Sequence, residues 1–96
     1  MAESERTLDA AVEFGRRLRV ARVAMGLSQM ALGERCGLHF TYISSVERGQ
    51  RNVSLETIVR LAQAVSTDPA ELVQGLNPTV DELKQAAGAR APAAFR

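Results

Sequence analysis

The sequence predicts an all-α fold of five helices. Three observations carry that expectation. The apolar content is mostly Ala, Leu and Val, with aromatics at 4% and no Trp, a composition that suits closely packed helices. Apolar residues recur at spacings of three and four, the period of an amphipathic helix. Helix start and stop residues, Ser or Asp in front and Gly behind, punctuate the chain at short intervals. A chain of 96 residues makes one domain around one modest core.

The first helix spans roughly 7–25. There Leu8, Ala11, Val12, Gly15, Leu18, Ala21, Arg22 and Met25 follow a helical period. Thr7 or Asp9 is its capping residue, and Gly26 ends it. Ser28 caps a short second helix, Gln29 to Cys36. Gly37 then stands where a tight turn needs a positive φ. The third helix runs from about Phe40 to Arg48 and is closed by Gly49. A polar loop of Gln50, Arg51, Asn52 and Val53 leads to Ser54, the cap of a fourth helix, Leu55 to Val65. Its apolar stripe is Ile58, Leu61, Ala62 and Val65. Asp68, Pro69 and Glu71 repeat the start signal and open a short fifth helix through about Gln74. The domain proper is therefore residues 1–76. Asn77 and Pro78 break the chain, and residues 77–96 read as an extension. Thr79 to Ala87 form one or two further helical turns, and the Ala/Pro/Arg tail after Gly88 has nothing to pack.

Cys36 is the single cysteine, which excludes an internal disulfide and a cysteine-based zinc site. No apolar run nears the ~18 residues of a membrane span. The first residues, Met1 to Glu5, are acidic and not signal-like. The expected location is the cytoplasm, with no membrane partner. The net charge of +1 hides an uneven distribution. Residues 16–60 hold eight basic groups (Arg16, Arg17, Arg19, Arg22, Arg35, Arg48, Arg51 and Arg60) against three acids (Glu34, Glu47 and Glu56), a surplus of five. The remainder holds four basic groups and eight acids, a deficit of four. A basic centre between acidic flanks is the pattern of a nucleic-acid face on a near-neutral protein.

Between Ser28 and Gly49 the residues meet the demands of two short helices crossing steeply across a glycine turn. Gly33 supplies the small residue at the crossing, and Gly37 the positive-φ turn. Leu32, Cys36, Leu38, Ile43 and Val46 plug the angle from inside. The outward positions of the second of these helices hold His39, Phe40, Thr41, Ser44, Ser45 and Arg48.

This stretch, LSQMALGERCGLHFTYISSVERGQRNVSLETIVRLAQAV, resembles the Cro/CI-type (XRE) helix-turn-helix family. The resemblance covers about residues 14–75. Within it, TYISSVERGQRNVSLETI is especially similar to the controller proteins of restriction–modification systems. The resemblance implies a five-helix, lambda-repressor-like fold and a homodimeric, sequence-specific regulator of transcription on a palindromic operator of duplex DNA. It implies base or groove contacts for His39, Phe40, Thr41, Ser44 and Ser45, in the major groove. Backbone contacts fall to Gln29, Tyr42, Arg48, Arg51, Asn52 and Ser54. Arg22 and Glu47 match a buried ion pair between the first and third helices. Controller proteins commonly carry Arg where this chain has Phe40, and Phe packs on a thymine methyl instead of reading guanine. Their operator sequence does not transfer.

Other readings of the same residues are weaker. Cys36 occupies a core position, which suits an inert buried thiol. His39 is the only histidine, so a metal site would need carboxylates around it. Helical spacing does not assemble Ser44, Ser45 and His39 into a triad. No enzyme, cofactor or small-molecule ligand is expected. Arg16, Arg17 and Arg19 either solvate the first helix or touch DNA. Leu55, Val59, Leu72, Val73 and Leu76 exceed the needs of one small core and favour a dimer interface. The rival functions are an antitoxin that represses its own promoter and a protein–protein adaptor that kept the fold. A neighbouring toxin gene would mark the first. The polar third helix and the Arg51-to-Ser54 loop argue against the second.

Overall fold

The structure, a computed structural model, describes residues 9–76. Five helices follow one another: α1 (Asp9–Ala24), α2 (Gln29–Cys36), α3 (Phe40–Glu47), α4 (Leu55–Ala64) and α5 (Pro69–Val73). There is no strand among the described residues, and the all-α expectation holds. Leu8, Thr7 and the whole of the expected extension over 77–96 lie outside the described residues.

The helix starts follow from short polar side chains that meet otherwise unpaired amides. Ser28 Oγ accepts from the Ala31 amide at 3.0 Å, Ser54 Oγ from Thr57 at 3.1 Å and Asp68 Oδ1 from Ala70 at 2.8 Å. The cap of α3 is His39, whose Nδ1 accepts from the Thr41 amide at 3.2 Å. An accepting Nδ1 places the ring proton on Nε2. The ends of α1 to α4 share one device, a left-handed residue whose amide and successor turn back to the last carbonyls. Gly37 does this after α2 at φ 74°, and Gly49 after α3 at φ 77°. Ser66 does it after α4 at φ 58°, with its amide on Gln63 O and that of Thr67 on Ala62 O. The expected third helix was one residue longer; Arg48 is a capping residue, not a helical one.

The core gathers Leu18, Leu32, Ile43, Val46 and Leu61, all buried, with Phe14, Cys36, Val65 and Leu72 around them. Burying each such side chain stabilises the fold by roughly 1.5–3 kcal/mol. Helix α3 packs between α1 and α2, while α5 closes against α4 and α1. The inward face of α1 differs from expectation. Val12 and Met25 are exposed, and Phe14 is buried in their place. The inward stripe runs through Phe14, Leu18 and Ala21, steps of four and three that pass over Val12, while Met25 would continue them but lies past the last helical residue, Ala24.

Two glycines allow close approach. A Cβ on Gly33 would collide with the Leu38 carbonyl oxygen, so the second helix meets the turn through bare backbone. A Cβ on Gly15 would collide with the carbonyl oxygens of Val46 and Glu47. Helix α1 therefore sits directly on the end of α3. Arginines tie the remaining ends: Arg17 Nη1 donates to Gln74 O at 2.6 Å, and Arg35 Nε to Ala64 O at 3.0 Å. A cation at a helix C-terminus also complements the helix dipole.

Candidate nucleic-acid interface

The site is built outward from a buried carboxylate. Glu47, at the last position of α3, receives Arg22 Nε at 2.6 Å and Nη2 at 3.1 Å. Gln29 Nε2, from the first turn of α2, donates to the same carboxylate at 3.1 Å. Arg22 also donates to Leu27 O at 2.7 Å. The side chains of Arg22 and Glu47 are 11% and 4% exposed, so this pair is satisfied out of water. It fixes the orientation of α3 relative to α1 and α2. Gln29 uses one amide proton here and keeps a second for an outside acceptor.

On α3, His39, Phe40 and Thr41 form the exposed front end. The His39 and Phe40 rings stack with centroids 4.7 Å apart, and Thr41 Oγ1 bonds His39 Nδ1 at 2.8 Å. Ser44 is half-buried and bonded by Arg48 Nη1, and Arg48 Nη2 donates to Gln50 Oε1 at 3.3 Å. These residues line one side of the helix. Ser45 does not join them. Expected to face outward, it is 7% exposed, because the chain after α3 folds back across it. The Gln50 amide bonds Ser45 O at 3.0 Å, and Arg51 Nε bonds Ser45 Oγ at 3.1 Å.

The loop beyond carries Arg51 and Asn52, both exposed. The Arg51 guanidinium carbon lies 5.5 Å from the centre of the Tyr42 ring, a cation–π distance. Ser54 is exposed at the front of α4, but its hydroxyl proton goes to Thr57 Oγ1 at 3.0 Å. Sequence reasoning missed the capping role of His39, since imidazole is not a usual cap. It also gave no reason for Gly15, whose only signal is a missing side chain on an inward face.

Ion pairs redistribute the basic surplus. Among the described residues, Arg16 and Arg17 share Glu13, Arg22 takes Glu47 and Arg60 takes Glu56. The Glu13 carboxyl is held down at about 2, chiefly by its hydrogen bond from Arg16 and then that from Arg17. The arginines without a carboxylate partner among the described residues include Arg48 and Arg51, which flank the exposed side of α3. The arrangement offers hydrogen-bond donors, an aromatic stack and two cations on one surface.

A family profile for a helix-turn-helix domain matches residues 13–74. The control protein C.BamHI of Bacillus amyloliquefaciens is 43% identical over 61 residues, covering 62% of this chain and 75% of that one. Among solved structures, the restriction-modification controller protein C.AhdI from Aeromonas hydrophila shares 53% identity at a TM-score of 0.63. That match covers 65% of this chain and 94% of the other. The P22 c2 repressor, solved with a synthetic operator, matches at a TM-score of 0.61 and 31% identity, over 65% of this chain and 94% of its own.

Proposed function

We propose, on the premise that this chain belongs to the Cro/CI-type helix-turn-helix family of transcriptional regulators, that it binds a palindromic operator in duplex DNA as a homodimer. One observation carries the reading: the exposed side of α3 is flanked by Arg48 and Arg51, neither of which has a carboxylate partner among the described residues. His39, Phe40, Thr41 and Ser44 meet base edges in the major groove, with Phe40 on a thymine methyl. Gln29, Tyr42, Arg48, Arg51, Asn52 and Ser54 hold the sugar–phosphate backbone. Two copies set their third helices in successive major grooves ~34 Å apart, which a two-fold axis requires. The relatives named above, two controllers and a repressor solved with its operator, support this assignment.

The test is a titration of operator and scrambled duplexes at several salt concentrations. Phe40→Ala or Thr41→Ala should cost ~1–3 kcal/mol at particular base pairs and little on scrambled DNA. Arg51→Ala should weaken both and flatten the salt dependence by about one phosphate. If Arg51→Ala changed base preference and left the salt slope intact, Arg51 would be a base reader.

A further inference from the structure

We propose that Ser45 is a positioning residue that aims Arg51 at the DNA backbone. The proposal rests on the phosphate role given to Arg51 above. Ser45 is 7% exposed, so its hydroxyl does not meet DNA. That hydroxyl has one proton, and it goes to Tyr42 O at 2.8 Å. The oxygen is thereby turned to accept, and Arg51 Nε fills it at 3.1 Å. The Tyr42 ring lies against the same guanidinium, and the backbone carbonyl of Ser45 holds the start of the loop through Gln50. A single residue of α3 thus fixes both the chain that carries Arg51 and the near end of its head group. The Nε contact leaves the two terminal amino groups for an anion, the paired donors that suit a phosphate. A long side chain ordered before binding loses less freedom when the complex forms.

Ser45→Ala removes one oxygen from a helix position that favours Ala, so the thermal midpoint should change little. In the free protein, the Arg51 Nε–H resonance should be resolved and slowly exchanging, and Ser45→Ala should return it to the exposed-arginine position. Operator affinity should fall about fivefold to tenfold. Ser45→Thr, which keeps the hydroxyl, should restore the resonance and the affinity. Adding Ser45→Ala to Arg51→Ala should cost nothing further. An unchanged Arg51 Nε–H resonance in Ser45→Ala overturns the proposal, as does an equal loss of affinity in the Arg51→Ala background. Native affinity and salt slope in Arg51→Ala overturn the phosphate role instead, and the resonance of the free protein still reports whether Ser45 orders the side chain. Should Ser45→Ala not fold, Ser45→Cys carries the same comparison.

Discussion

Glu47 accepts from two other helices through Arg22 and Gln29, and almost no water reaches it. A buried charge stripped of its partner is costly, whereas replacing both partners by apolar groups is close to neutral. Arg22→Met or Glu47→Leu alone should therefore destabilise the fold by about 3–5 kcal/mol. The double variant should recover much of that. A double-mutant cycle on thermal stability checks it, and strict additivity would show that the two do not interact. Glu13 behaves differently because it is exposed. Its pKa is depressed, so any stability it lends is present above the ordinary carboxylate range and is lost as pH falls toward 2. An NMR titration of its side-chain carboxyl should give a midpoint near 2, moving up in Arg16→Ala; a midpoint above 4 in the parent would sink the pairing. At this scale the residue types told part of the story. The charge pattern and the resemblance pointed to Arg22 with Glu47, but nothing local distinguishes Ser45 from Ser44. Their difference comes from where the chain goes five residues later.

The helices owe their limits to local chemistry, which is why their bounds could be read within a residue or two. Ser28, Ser54 and Asp68 cap where capping residues should. The exception in kind is Ser66, a side-chain-bearing residue at φ 58° in a position that glycine fills elsewhere in the fold. The left-handed conformation costs an L-residue roughly 1–2 kcal/mol, part of which glycine returns as unfolded-state freedom. Ser66→Gly should gain about 0.5–1 kcal/mol and raise the melting temperature by about 4 °C. Calorimetry decides it, and a lower midpoint would show that Ser66 holds something other than its backbone angle. The inward face of α1 was harder to read. Ala, Val and Gly occur on several sides of that helix, so a period alone did not choose Phe14 over Val12. Packing into the common core chose.

In the whole molecule, the apolar surplus of the last two helices divides. Leu72 is buried and Leu76 packs against the core, whereas Leu55, Val59 and Val73 are 76%, 45% and 36% exposed. Leu55 and Val59 lie one turn apart on α4 and are the surface that the homodimer proposed above would cover. Sedimentation should show a dimer that Leu55→Glu with Val59→Glu converts to monomer, with operator affinity reduced at least tenfold. A double variant that sediments as the parent does would place the interface elsewhere. Sequence alone could count these residues as more than a core needs. It could not sort them, because burial of Leu72 depends on how α5 folds back onto α1 and α4.

Helix α3 has two sides with separate obligations. Ile43, Val46 and Glu47 answer to the interior, and His39, Phe40, Thr41 and Ser44 to whatever lies outside. If the outer side reads DNA as proposed above, descendants of this gene can drift to new target sites along that side while the other side stays fixed by the core. Tolerance to random substitution should alternate along the helix with its pitch. A regulator built this way can acquire a different genomic address without having to reinvent its scaffold.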